Sequence, residues 1–351
     1  MKKRALFATT ILLLILVTSL VVSQETTEIE KVDKAYQCLQ DQVDDCSSLS
    51  SEEKIFSLLA INKCKTDVIQ DSVNTEECWP SSGCEIKTTA QAILALDNSN
   101  SDTTKAEDWL LSQNRTPTEL NWYLEIESSG ATTCSLSYSG SSYNIVIGED
   151  KKISNSAGSC LALVQDDYWL RISPSCYSEE FGVSCDESFL TTLLFKKTTS
   201  STIHVSEKTS SAAAGGTTKE KVESFCFWEG GSCDYEASLW ASLVLDSVGR
   251  DVSSFLPYLI ILADENKRHM PEVFLYFLTS KQEYRTDILS KQKSNKWWEE
   301  SGDKFYDTAL ALYPLQQESP REKTDSKSWL LDVQDADGCW EGNTRNTAFI
   351  L

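Results

Sequence analysis

The side chains of this 351-residue chain that are able to do chemistry are nearly all carboxylates: 53 Asp and Glu against two histidines, His204 and His269. The histidines lie far apart in sequence and no C-x-x-C pair accompanies them, so no metal site is indicated. There is no G-x-S-x-G nucleophile turn; Ser139-Gly140-Ser141-Ser142 reads as the tip of a hairpin. A D-x-D-D acid, in which neighbouring carboxylates raise one pKa until it holds a proton, is also absent. Asp41, Asp44 and Asp45 have the wrong order, and Asp335-Ala336-Asp337-Gly338 is turn material. Asp44-Asp45 and Asp166-Asp167 lack the third acid of a D-D-x-x-D set that would hold magnesium on a diphosphate. What is left is a carboxylate pair of the kind that cleaves glycosidic bonds. Asp234, Glu236 and Asp307 stand near helix starts, and Trp297-Trp298 offers a surface on which a sugar ring can stack. The same acids equally suit helix capping and solvation.

The elements that would position these residues form a repeat. Aligned on tryptophan, Trp79 is followed by PSSGCEIKTTAQAILAL, Trp228 by EGGSCDYEASLWASLVL and Trp298 by EESGDKFYDTALALYPL, without gaps. Trp340 is followed by a version three residues shorter, EGNTRNTAFIL. Nine residues after the tryptophans lie Thr88, Ala237 and Asp307, with Asn346 in the shortened unit; three of these four are N-cap types. The residues that follow are small or apolar on every side, as in a helix buried all round. The segments 329–340 (WLLDVQDADGCW) and 287–298 (DILSKQKSNKWW) also align, sharing Leu331/Leu289, Gln334/Gln292 and Trp340/Trp298, with Gly338 in the last turn. More polar helices precede them over Ser319–Val333 and Gln282–Gln292, and a third is expected over Lys105–Gln113. The unit is thus a polar outer helix, a turn with tryptophan and an apolar inner helix.

Lys2, Lys3 and Arg4 before the apolar run Ala5–Val22 read as a secretory signal over residues 1–23, or as a membrane tether if retained. The net charge of −21 repels phosphate backbones and argues against nucleic acid; it favours solubility and cationic partners. With an export signal, twelve cysteines imply disulfides. Cys84 and Cys233 both sit five residues after a repeat tryptophan, with Cys78 and Cys226 just before it, so Cys78–Cys84 and Cys226–Cys233 are expected to clamp equivalent turns. Cys64 is the candidate partner of Cys339, which leaves Cys38 and Cys46 to complete the set. Cys134–Cys160 and Cys176–Cys185 are the simplest pairs for the four cysteines between.

Those four lie in a stretch of different periodicity. Residues 119–207 contain alternating or β-rich segments at Asn121–Ser128, Thr133–Tyr138, Tyr143–Ile147, Leu161–Val164, Tyr168–Ile172 and Thr202–Val205, separated by turn residues. An antiparallel module of six or seven short strands is expected there, followed by a flexible linker over residues 208–221 (KTSSAAAGGTTKEK). Helical units would then occupy residues 24–118 and 222–351.

The spacing of Trp329-Leu330, Gln334, Gly338 and Trp340, with Thr347-Ala348 opening the next helix, resembles the QW motif of terpenoid cyclases. The wider group includes protein prenyltransferase β subunits and complement-like thioester domains. The resemblance covers roughly residues 24–117 and 221–351. It implies a mainly α fold, an α/α toroid of helical hairpins with an inserted β module. About twelve helices are expected, the last cut short at Leu351 as in a fragment. It implies a structural role for Gln292, Trp298, Gln334, Gly338 and Trp340. It also places Asp234, Glu236, Asp307 and Trp297 at one mouth of the ring. The chemistry of these families is not written in this chain: neither histidine falls where their zinc ligand lies, and Cys84-Glu85, Cys233-Asp234 and Cys185-Asp186-Glu187 do not match the thioester C-G-E-Q. The expectation is a secreted or cell-surface binding or assembly module without cofactor, its partner a protein or a glycan. The alternatives are a glycan-binding or glycan-cleaving protein working at the ring mouth, and a divergent terpenoid cyclase or prenyltransferase. A deep acid-lined cavity would favour an enzyme; a centre filled by Trp240, Phe274 and Phe277 would not.

Overall fold

The computed structural model describes residues 28–351 except Gln165; the expected export segment lies outside these residues. Helix starts follow the local chemistry. Ser50 and Glu53 form a capping box at α2 (Ser51–Ile61), each side chain bonding the other's backbone N–H. Asp303 accepts from the N–H groups of Phe305 and Tyr306 at the head of α10 (Lys304–Leu312), and Asn343 accepts from Asn346 at α12 (Thr344–Ile350). The caps therefore fall three to four residues before Asp307 and Asn346, which belong to the first helical turn. Thr88 likewise lies inside α4 (Ile86–Asn98). The remaining helices are α1 over residues 28–42, α3 (Lys65–Gln70), α5 (Thr104–Ser112), α6 (Tyr235–Ser247), α7 (Leu256–Leu262), α8 (Pro271–Thr279), α9 (Gln282–Ser290) and α11 (Arg321–Asp332).

The described residues divide into two compact units, 28–112, 239–250 and 266–351 in one, 113–238 and 251–265 in the other, so the dividing line passes through α6. In the helical unit α2 packs on α4 and α12, α10 on α12, and α8 on α9. Cys38 of α1 is bridged to Cys339, 301 residues later, and Cys46 to Cys64. Cys78 pairs with Cys84.

The second unit is built on strands. β1 (Asn114–Arg115), β11 (Cys226–Glu229) and β12 (Ser232–Cys233) form a three-stranded sheet. A four-stranded sheet has the order β10-β7-β3-β4, from β3 (Thr132–Tyr138), β4 (Ser141–Ile147), β7 (Glu180–Cys185) and β10 (Thr218–Lys221). A five-stranded sheet runs β5-β6-β2-β8-β9, from β2 (Leu120–Ser128), β5 (Leu161–Leu163), β6 (Trp169–Ile172), β8 (Phe189–Lys197) and β9 (His204–Ala212). All pairings are antiparallel. β3 alternates buried and exposed side chains along its length, as a half-buried strand must. The β3–β4 loop is the expected hairpin tip, with Ser139 and Gly140 both at positive φ, the geometry of a two-residue loop. Thr191 of β8 donates to Glu220 of β10 at 2.7 Å and shares a hydroxyl–hydroxyl hydrogen bond with Thr218 at 3.0 Å, tying the two larger sheets through a buried polar cluster.

The fold is therefore α+β, and the mainly α toroid is corrected: helices hold 42% of the residues and strands 22%, in three antiparallel sheets. Strands extend from Asn114 to Cys233, so even the segment aligned on Trp228 as a helical joint belongs to a sheet. Residues 208–221, expected as a linker, are the second half of β9 and strand β10. Gly- and Ser-rich composition marked the turn between them, while the ladders β9–β8 and β10–β7 hold their backbones. In the β unit the bridges are Cys134–Cys185, Cys160–Cys176 and Cys226–Cys233. Cys134 and Cys185 face each other across β3 and β7, which excludes the simpler sequential pairing.

Candidate functional site

Three tryptophans of the helical unit make the same joint. The indole N–H of Trp79 donates to Val68 O at 2.6 Å, that of Trp298 to Ile288 O at 2.6 Å and that of Trp340 to Leu330 O at 2.9 Å, each acceptor lying on the helix before the turn. Their backbone N–H groups donate to Thr89, Thr308 and Thr347 on the helix after it, at 2.9, 3.0 and 3.2 Å. All three rings are buried. Gln292 donates to Glu322 O and Ser326 Oγ, both at 2.7 Å, fixing α9's turn to α11. Gln334 donates to Lys31 O at 2.9 Å and Gly338 O at 2.7 Å, fixing the next turn to α1. Gly338 has a φ of +102°, and a Cβ there would stand 2.4 Å from Lys34 O, so only glycine lets this turn reach the backbone of α1. These residues shape the scaffold.

In the β unit the equivalent residue is Phe227, not Trp228. The Phe227 N–H donates to Ser238 Oγ at 3.0 Å and its ring is fully buried, whereas Trp228 is 41% exposed. Alignment on the tryptophan slipped this segment by one residue. Cys78, Cys226 and Cys339 each stand immediately before the joint aromatic, and that signal gives the right register.

The acids proposed for glycan chemistry are occupied locally. Asp307 is buried and accepts from Glu300 N at 2.6 Å, Ser301 N at 2.7 Å and Ser301 Oγ at 2.7 Å. Burial, the largest influence, raises its carboxyl above the ordinary value against these hydrogen bonds. Trp297 packs on Trp329 at 5.2 Å within a cluster containing Phe305 and Trp340. In the other unit, half-buried Asp234 caps Ala237 N at 2.8 Å, and Glu236 follows in the first turn of α6. Asp307 and Trp297 belong to one unit, Asp234 and Glu236 to the other. Of the histidines, His204 stacks on Phe195 in β8, and His269 lies in a short 3-10 turn accepting from Arg268.

A cavity of about 580 Å³ in the helical unit involves none of these residues. It is lined from the C-terminal halves of α2 (Leu59, Ala60), α4 (Leu94), α10 (Ala309, Leu312) and α12 (Phe349, Ile350), with Trp240 and Leu243 of α6. Trp240 packs edge-on against Phe274 at 5.4 Å and forms a wall of the cavity without filling it. Phe277 stacks on Tyr313 at 5.7 Å. Asp97 and Lys323 are the charged groups in the lining, and Lys323 spends its ammonium on the carbonyls of Leu315, Gln316 and Glu318. The lining is mostly apolar, with polar side chains from Asp97, Asn98, Ser247, Gln316 and Lys323; with a single carboxylate side chain it is not the acid-lined cleft an acid–base enzyme would need. The signal missed in the sequence was the small and aliphatic pattern late in each inner helix, at Ala309, Leu312 and Ala348.

No family model matches the chain, and no curated protein or solved structure is significantly similar to it. With the mixed α+β architecture, this overturns the resemblance to terpenoid cyclases. The matching residues encode a local turn between two helices, held by one indole and one amide; a motif of a dozen residues does not dictate how whole helices are arranged.

Proposed function

We propose that this chain is an extracellular or cell-surface binding protein whose helical unit holds an apolar or amphipathic small molecule. The observation that carries this reading is the cavity of about 580 Å³ walled by Leu59, Leu94, Trp240, Leu312 and Phe349. Its size falls in the range of small-molecule sites, which are concave, mainly apolar and furnished with few polar groups. An alkyl chain entering such a space gains about 0.8 kcal/mol per methylene removed from water. Six disulfides fit an oxidising compartment. No helix among the described residues is long and apolar enough to cross a membrane. Glycan cleavage is the weaker reading, because Asp307 is committed to its own turn.

The test is titration of the full chain with palmitate and with decanol, followed by thermal shift and by Trp240 fluorescence. A saturable rise in melting temperature is expected, lost in Ala309→Phe, which projects a ring into the cavity. Equal binding by Ala309→Phe, or no binding of either probe, would sink the proposal.

A further inference from the structure

A second groove, of about 370 Å³, lies in the β unit and has a different chemistry. Glu125 and Trp169 are partners across β2 and β6, so both side chains leave the same face of the sheet. Glu127, two residues along β2, shares that face. Tyr168, next to Trp169, is 43% exposed at the rim. We infer that this groove binds an organic cation, an alkylated ammonium group held between the rings of Tyr168 and Trp169 and the carboxylates of Glu125 and Glu127.

Four observations carry the inference. First, the two carboxylates of the groove are not ion-paired: Glu125 accepts one hydrogen bond, from the Trp169 indole at 3.2 Å, and neither Glu125 nor Glu127 has an ion-pair partner among the described residues. Second, the basic residue in the lining, Lys151, directs its ammonium to the backbone carbonyls of Ser128 and Ser129 at 3.0 and 3.3 Å and not to either carboxylate. Third, the aromatic wall already attracts ammonium. Lys152 Nζ stands 5.5 Å from the centroid of the Tyr168 ring, held there by Asp167 at 3.7 Å. Fourth, the chain carries a net charge of −21, which concentrates cations near its surface. Burial is the main cause raising the Glu125 carboxyl above its ordinary value; the indole hydrogen bond opposes this and the charge of Glu127 adds to it. A bound cation relieves both effects.

The donors and acceptors separate this ligand from a neutral sugar. A sugar hydroxyl must find partners for both its proton and its lone pairs, whereas this groove presents carboxylate acceptors and a lysine with two of its three protons on backbone carbonyls. An alkylated ammonium demands no acceptor geometry and spreads its charge over methyl groups that fit against ring faces. This inference is independent of the apolar cavity and stands or falls separately.

The experiment is a titration of the full chain, labelled with ¹⁵N at tryptophan, with choline chloride and with its uncharged isostere 3,3-dimethylbutan-1-ol. The Trp169 indole resonance is assigned from Trp169→Phe. A saturable shift of that resonance with choline is expected, and about ten-fold weaker binding of the isostere, the scale of one desolvated cation–π contact. Glu125→Gln and Glu127→Gln are each expected to weaken choline about ten-fold with unchanged circular dichroism. Because Glu127 is exposed, its variant keeps the test alive if Glu125→Gln does not fold. Equal binding of choline and the isostere would overturn the inference, as would a response to N,N′-diacetylchitobiose with none to choline, or no shift with any probe.

Discussion

The turns at Trp298 and Phe227 do the same job in two different settings. In both, a buried aromatic ring sits at the bend and its backbone N–H donates to a hydroxyl on the following helix, Thr308 in the helical unit and Ser238 in the β unit. At Trp298 a second bond comes from the indole, which reaches back to Ile288 O at the end of α9. Phe227 follows strand β11's first residue, so no open helix end lies behind it to be capped. Its ring instead stacks on Phe255 at 4.6 Å with 6° between the planes. The hydroxyl latch thus belongs to the helix that follows, while the indole belongs to the helix that precedes. Tryptophan occurs where both neighbours are helices; phenylalanine suffices where one is a strand.

The cysteines before Trp340 and Phe227 test how far such a turn is tied to the rest of its unit. Cys339 closes a loop of 301 residues, Cys226 one of seven. Loop-closure entropy predicts that Cys38→Ser with Cys339→Ser loses on the order of 5–6 kcal/mol, against about 2–3 kcal/mol for Cys226→Ser with Cys233→Ser. Urea unfolding followed by circular dichroism gives both numbers; equal losses would show that the long bridge constrains an unfolded chain that is already compact.

Replacing the aromatics asks whether the joints are equivalent in packing. Trp298→Ala and Phe227→Ala are each expected to lose about 3–5 kcal/mol through cavity formation. Trp298→Phe is expected to lose about 1–3 kcal/mol, because Ile288 O is left without its donor. A Trp298→Phe variant as stable as the parent would mean that the indole bond adds nothing and that the two joints differ only in side-chain volume.

The hydroxyl latch is the feature the two units share, so its removal should affect them alike. Thr308→Val and Ser238→Ala are each expected to lose about 1–2 kcal/mol, since each leaves a buried N–H unpaired. A loss confined to one unit would break the equivalence.

The smallest effect concerns Asp307, one residue before the latch hydroxyl of Thr308, where the β unit has Ala237 before Ser238. Its carboxyl is raised by burial above the ordinary value of 3.8. A raised acid is one whose charged form the fold disfavours, so its contribution is favourable at low pH and is lost as pH rises through the folded value. Stability measured over the range just above pH 3.8 should therefore fall more steeply for the parent than for Asp307→Asn. Parallel curves would show that the three hydrogen bonds from Glu300 and Ser301 offset burial.

Much of the local structure was legible. Gln292, Gln334, Gly338, Trp298 and Trp340 stand in the sequence at the spacing of a helix-to-helix turn. Cys78–Cys84 and Cys226–Cys233 are close enough in sequence to bridge only across their own turns. Hairpin β3–β4 follows from alternation and a Ser-Gly tip. Strand β8 escaped because six of its nine residues are buried and none is exposed, which removes the alternation that marks a strand. With β7 and β8 unread, the pairing of Cys134 with Cys185 could not be found, since it depends on β7 lying beside β3. The candidate acids failed for a related reason: position near a helix start does not tell whether a carboxylate faces a ligand or turns back, as Asp307 does, onto the N–H groups of its own loop.

By itself the sequence determined the joints, because each is held by residues within about a dozen positions of one another. It determined too that twelve cysteines would be bridged, and that the middle of the chain would be strand. Only the tertiary structure decided that the β-rich part forms a second compact unit with three sheets, that Phe227 and not Trp228 sits in its joint, and that Cys38 meets Cys339. It alone assembled the cavity of about 580 Å³ from residues of six helices, and the groove in which Glu125 and Trp169 face one way. The division follows from range: capping and turn chemistry act between neighbours along the chain, whereas cavities and cross-strand pairs arise from segments that meet only after the chain has folded.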